Sequence, residues 1–438
     1  MSLTRGKATD MRWLTLTLGC ASLFVADTAQ DTPKLDKATQ LKLRQIVLDL
    51  SAAQKAEDEA EVKKVVKRAV EILGGQAGLP EVADDFRAVP KDTKPLSSEE
   101  LTTGFDPYIG YIKRQKWWAI GLDPTRTTHA PRELATVTVG CLAARAVSAE
   151  KADELLKIAK DAGDFLVWAQ ERGMTGVVPF PAVRNGKGRP FEVAERFYRQ
   201  AEKDGKLDQV IQNGWTVEDF DDGGLQFDNG LAGVALVRLF EATKDDKYKK
   251  AAMRAADWAV KRRVVTNWNY NSFSVFLLAE VYRTTGEVKF LDAAKKKARL
   301  GVLPGQLTEG PRKGRWADAH NARPAYHYIM VRGLAALAAV IPKDDPDLPA
   351  VIESLRLALK ARNPDFEKGI FNADSAVEAL VRVKTLPLHV SVKLADCGTG
   401  EALDTLERYA AESFRARKSP LGPGAWGQLL KYCHGRKR

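Results

Sequence analysis

Histidine and cysteine are the scarce residues of this chain, five and four in 438. Cys20, Cys141, Cys397 and Cys433 stand far apart. They make neither a disulfide framework nor the closely spaced set of a structural zinc site. Cys141 lies in the apolar run 135–147, and Cys20 sits in a terminal segment expected to be removed, so only Cys397 and Cys433 are left as a pair that an oxidising compartment would join. Stability must come from packing. Also missing are a phosphate-binding glycine loop, a dinucleotide fingerprint, a Gly-x-Ser-x-Gly elbow and a His-Glu-x-x-His pair. No cofactor and no metal are expected. Beyond Ala26 no apolar run is long enough to cross a bilayer, so no stable membrane span is expected either.

Positive charge is present but unfocused. The net charge of +11 and a pI near 9.3 favour an acidic partner. The densest runs, 295–297 and 436–438, read as a solvated helix face and a tail, so the excess is spread rather than focused. Charge alone leaves an anionic membrane and an acidic polysaccharide or oligosaccharide both open as the acidic partner, and no nucleic acid is expected. Arg12 followed by the apolar stretch 13–26 has the pattern of an export signal, with cleavage expected near Ala26 or Ala29. The expected location is therefore periplasmic or extracellular. A lipoprotein site at Cys20 ranks lower, because Thr17 stands where leucine is expected. A buried amphipathic helix is the alternative reading of the same stretch.

What the chain has in abundance is helical hairpins. The apolar segment 231–240 is followed by a turn at 244–246 and by an amphipathic helix from Tyr248, and the same plan returns at 272–282, 285–287 and from Phe290. Phe240 aligns with Tyr282 and Tyr248 with Phe290, a repeat of 42 residues. Looser copies fall at 133–168, 325–359 and 375–414, with 425–432 as a closing helix. The first helix of each pair is apolar nearly all round and belongs inside, while the second carries a charged face. That asymmetry favours a closed all-α (α/α) toroid, (α/α)6-like, over an open solenoid. The expected organisation is a signal at 1–29, a leading hairpin and linker at 30–98, and the toroid at 99–438.

In a toroid whose inner helices all point one way, the segments before them share a rim. Those segments hold Asp221, Asp222, Asp228 and Asn229; Asn267, Trp268, Asn269, Tyr270 and Asn271; Trp316, Asp318, His320, Asn321, Arg323, Tyr326 and His327; His129; and the stretch 371–374. Helix amino termini facing that rim favour an anionic ligand. Each residue also has a plainer reading. Asn269 and Asn271 suit helix caps, the Asp-Asp-Gly-Gly turn suits a cap for the next helix, and His327 falls on an apolar helix as a core histidine would.

The strings 276–287 and 290–294, set in these repeated hairpins, resemble the six-hairpin (α/α) toroid superfamily of glycan-cleaving enzymes, which includes glycoside hydrolases and polysaccharide lyases. The resemblance extends over Glu133 to Leu359. It implies one of two chemistries at the rim. In a lyase acting on a uronic-acid glycan, Asn267, Asn269 or Asn271 would neutralise the sugar carboxylate, with Arg323 holding charge. His320 or His327 would be the base, Tyr326 or Tyr270 the acid, and Trp268 and Trp316 the stacking platforms. Asn229, Asn321 and His129 would add binding contacts. In a hydrolase, two of Asp222, Asp228 and Asp318 would flank the sugar. The lyase is the leading expectation, the hydrolase its alternative, and a toroid that binds glycan or protein without chemistry is the third. The oligomeric state stays open.

Overall fold

The computed structural model describes residues 36–73, 88–115, 131–184, 189–318, 320–418 and 421–437. The export segment and His129 lie outside these residues, so the expectations placed on them concern positions not described.

Two short hairpins lead the chain. Helices α1 (Lys37–Lys55) and α2 (Glu59–Ile72) are each opened by an aspartate side chain, Asp36 and Asp58, that accepts from a backbone N–H of the first turn. Helix α3 (Ser98–Thr103) starts in a capping box of Ser97 and Glu100, and α4 (Asp106–Gln115) follows. Then come the paired helices α5 (Pro131–Arg145) and α6 (Ala152–Gly173). An insertion carrying α7 (Arg189–Lys203) separates them from α8 (Gly224–Thr243) and α9 (Asp246–Lys261). The later pairs are α10 (Trp268–Thr285) with α11 (Val288–Gly301), α12 (Pro324–Ala338) with α13 (Leu348–Arg362), and α14 (Ala373–Lys384) with α15 (Thr399–Arg415). The last described helix is α16 (Pro423–Lys437).

Helices α5, α8, α10, α12, α14 and α16 pack each on the next, and α16 returns to α5, so the ring closes. The composition of the inner helices requires this. In α12 every residue from His327 to Ala338 is buried, leaving no face for water. In outer helix α9 burial is confined to Tyr248, Ala251, Ala252, Ala255, Ala256, Trp258 and Ala259, one stripe at helical spacing. The seam between α5 and α16 is made by glycine. A Cβ on Gly140 would stand 2.2 Å from the Pro423 carbonyl oxygen, and one on Gly427 would stand 2.3 Å from that of Gly140. Here the two backbones touch. The sixth outer position is filled from the other end of the chain, where the Trp426 indole donates to the Gly104 carbonyl at 2.8 Å beside α3.

Neighbouring contacts show that the inner helices run parallel. Gly230 meets Phe273, Gly233 meets Leu277, and Gly424 meets Thr136. Their amino termini therefore share one rim. The leading hairpin lies against α11, and buried Gln54 donates to the carbonyls of Val265 and Leu300. The insertion adds a feature the helical reading omitted, a three-stranded antiparallel sheet in the order β1 (Phe180–Pro181), β3 (Trp215–Thr216), β2 (Ile211–Gln212). Its strands are two residues each, too short for an alternating pattern. They share a small core with Tyr198 and Val210. Cys141, Cys397 and Cys433 are buried and form no disulfide with one another, so the pairing expected of Cys397 and Cys433 does not occur. No helix among the described residues is long and apolar enough to cross a membrane.

Candidate functional site at the helix amino-terminal rim

Helix α8 begins at Gly224 and α10 at Trp268, each earlier than the apolar pattern indicates, so Asp228, Asn229, Asn269, Tyr270 and Asn271 are helical residues rather than loop residues. The turn before α8 is set by Asp219. Its carboxylate accepts from the Leu225 and Asp221 N–H groups at 2.9 and 3.2 Å, and burial pushes it up to about 6. Phe220 and Asp221 both take positive φ, 49° and 69°, and Gly223 follows at 94°. Left-handed backbone at two non-glycine residues in succession is costly. Here it turns Asp222 outward. Asp222 is open to water but ringed by protein, and that desolvation raises its carboxyl above its usual range, with the Gly224 N–H opposing.

Around Asp222 the rim gathers titratable groups. Tyr270, packed against Gly223, is raised above the ordinary phenol range by burial and then by the nearby charges of Asp222 and Tyr326. It keeps its proton. His320 and Tyr326 stack with ring centroids 4.0 Å apart at 29°. Burial, helped by the Arg323 charge, pushes the imidazole down to about 4, so His320 is neutral at pH 7. Arg323 Nε has no acceptor among the described residues.

Beside this pair lies an amide cluster. Asn269 donates from Nδ2 to Asn267 Oδ1 and Asn321 Oδ1, both at 2.8 Å, and its own Oδ1 is buried without a partner. Asn321 in turn donates to Asp318, from its backbone at 2.8 Å and its side chain at 3.0 and 3.1 Å. Burial pushes Asp318 up to about 6, against these hydrogen bonds and one from Trp268. Asp318 is fully enclosed and holds the Asn321 loop rather than facing the rim.

Asp228 is likewise committed. Arg132, at the start of α5, donates Nε and a terminal nitrogen to its two carboxylate oxygens, both at 2.9 Å. Asp228 is 1% exposed and Arg132 47%. Burial opposes the Arg132 charge, but the Asp228 carboxylate outweighs it and holds the guanidinium ionised. Nothing in the sequence reading singled out Arg132. Its one signal was a basic residue directly after a proline that opens an apolar helix.

Five expected ligand-binding residues are drawn away from the rim surface, and three of them share a structural role. Asn229 accepts from the Val178 N–H and donates to the Ala255 carbonyl. Asn271 accepts from the Val265 N–H and donates to the carbonyls of Val265, Asn267 and Gly301. His327 pairs through Nε2 with the Ala358 carbonyl at 3.0 Å. Each ties an inner helix to its outer partner. Trp316 is buried, donates to the Val302 carbonyl at 2.9 Å and meets His327 edge-on. Trp268 is 1% exposed. Neither indole offers a face to a sugar.

Beneath the rim, Glu280 on α10 is 2% exposed and bound by Arg238, Arg283 and Arg382. Burial alone would raise it, but the three guanidinium charges bring it down to about 2. No group of three metal-ligating side chains occurs among the described residues.

No family model and no curated protein matches the chain. Among solved structures it is similar to a polysaccharide lyase, at a TM-score of 0.46 and 11% identity over 78% of this chain and 98% of that one. It is also similar to a family 88 glycosyl hydrolase from Bacteroides vulgatus, at a TM-score of 0.41 and 12% identity over 78% of this chain and 99% of that one.

Proposed function

We propose that the rim cleaves an acidic, uronic-acid-containing glycan by β-elimination and that the protein is exported. The observation that carries the reading is the neutral His320 imidazole stacked at 4.0 Å on Tyr326, with the Arg323 charge beside it. His320 takes the proton from the carbon next to the uronate carboxylate. The electron pair forms the new carbon–carbon double bond and the glycosidic oxygen leaves, receiving a proton from Tyr326. Arg323, whose Nε has no acceptor among the described residues, neutralises the carboxylate, without which the carbanion is too high in energy to form. Tyr270 lies near both Asp222 and Tyr326. Two-carboxylate hydrolysis fits less well, because Asp228 is locked to Arg132 and Asp318 is enclosed.

One observation favours hydrolysis as a second reading: Asp222 is reachable, has a raised carboxyl, and is held out by a strained turn. A screen of acidic polysaccharides separates the two. Elimination gives ultraviolet absorbance from the unsaturated uronate together with new reducing ends, and Asp222→Asn leaves most of it. Reducing ends without absorbance, abolished by Asp222→Asn, would replace elimination by hydrolysis. A glycan that binds and yields neither product would leave a binding protein. Export is supported by Arg12 and the apolar run after it, and amino-terminal sequencing of the native protein should start between Asp27 and Asp31.

A further inference from the structure

Inside the ring, reaching down from the rim, the inner helices line a half-open chamber of about 450 Å³. That is a volume suited to a small organic group. Its walls are unlike the rim. Phe227, Leu231, Val234, Phe273, Phe276 and Ile329 line it, with the Phe227 and Phe273 rings 4.1 Å apart. The far end is occupied by the Glu280 ion cluster, whose Arg382 lies 4.8 Å over the Phe276 ring. At the near end Arg132, held by Asp228, covers Phe227 at 4.3 Å.

Among the described residues, two buried donors at the chamber are unmatched, the Nε groups of Arg332 and Arg382, and of these Arg332 lines the wall. Arg332 is 5% exposed and lies over Phe273 and Phe276 at 5.0 and 4.9 Å. A terminal nitrogen of its guanidinium pairs with Glu378. Its Nε has no acceptor among the described residues. A buried N–H without a partner is unfavourable by about 1–3 kcal/mol, so an acceptor oxygen is wanted there. A carboxylate is the wrong acceptor. Glu133, Asp374 and Glu378 also line the chamber, and Arg132 and Arg332 already hold anions. A bare sugar is wrong too, because its hydroxyls would be stripped of water against phenylalanine and leucine.

We propose that the chamber is a specificity pocket for an ester-linked acyl group carried by the glycan. The apolar body of the acyl group fills the space between Phe227, Phe273 and Phe276, and the ester carbonyl oxygen accepts from Arg332 Nε. The inference rests on the glycan reading of the rim for the sugar part of the ligand. The chamber itself can be tested without a sugar.

The probe is methyl 4-hydroxycinnamate, titrated by calorimetry into the full chain. Saturable binding is expected, with the free acid binding at least tenfold more weakly than the ester. Val234→Phe, which fills the chamber, should weaken ester binding at least tenfold, and Arg332→Lys, which keeps a cation for Glu378 but removes Nε, should weaken it about tenfold. If Val234→Phe does not fold, Leu231→Phe on the same wall replaces it. No saturation by the ester, equal binding to a folded filled variant, or tighter binding of the free acid would each overturn the proposal. Ester binding without turnover of any glycan would sink the elimination reading and leave the pocket. Turnover of unesterified glycans with no ester binding would do the reverse.

Discussion

His320 carries its function in its neutrality. An ordinary histidine gains a proton near pH 6.5, but this one is pushed down to about 4, so an elimination that needs the free imidazole should keep its rate through pH 6 and fall only as pH approaches 4. A pH profile of kcat that breaks near 6.5 would remove His320 as the base. Because the folded value lies below the unfolded one, His320 also makes the fold less stable as pH drops from 6.5 towards 4, and His320→Ala should abolish that part of the acid sensitivity. The same variant, and Tyr326→Phe, should lower kcat about a hundredfold or more with little change in thermal stability, the usual loss for a positioned proton-transfer group. Asn271 predicts the opposite pattern. Its amide serves four backbone groups, so Asn271→Ala should destabilise by about 1–3 kcal/mol, seen as a lowered Tm, while KM for any substrate stays unchanged.

At the scale of elements, the seam between α5 and α16 is the most exposed to test. Gly427 approaches the Gly140 carbonyl too closely for any side chain, and Gly427→Ala should cost about 1–3 kcal/mol or more in chemical denaturation, as overpacking does. Stability equal to the parent chain would mean that the two helices are not in contact. This level was also the one most legible in the sequence. The repeat from Phe240 to Tyr282 and the apolar helices around Leu236, Leu277 and Leu334 identify inner and outer layers, because burial on all sides leaves a compositional mark. Helix starts were harder to read. Asp228, Asn269 and Asn271 look like loop residues, and they are helical because Arg132, Asn321 and neighbouring carbonyls satisfy them from other parts of the ring. Such partners lie far away in sequence and leave no local signal. The gathering of His320, Tyr326, Tyr270 and Asp222 was foreshadowed by their polar segments, but the committed state of Asp318 and Asp228 and the part played by Arg132 depend on three-dimensional neighbours.

For the whole molecule, Glu280 is the group on which several helices converge, since Arg238, Arg283 and Arg382 reach it from α8, α10 and α14. Glu280→Gln removes the anion and leaves buried guanidinium groups short of a partner, a loss of about 3–5 kcal/mol. The folded carboxyl lies at about 2, below its ordinary 4.5, so its contribution is complete above pH 4.5 and is lost as pH falls towards 2. Acid denaturation followed by circular dichroism should therefore be shallower in Glu280→Gln over that window.

The closed ring has a further consequence, in time rather than in space. Helix α16 touches both α14 and α5, yet it is made after every other inner helix. Until it leaves the ribosome, the nascent chain can form only an open arc of hairpins, with the apolar sides of α5 and α14 uncovered at its two ends. Such an arc is a natural client for chaperones, and its most vulnerable moment comes just before synthesis of α16 is finished.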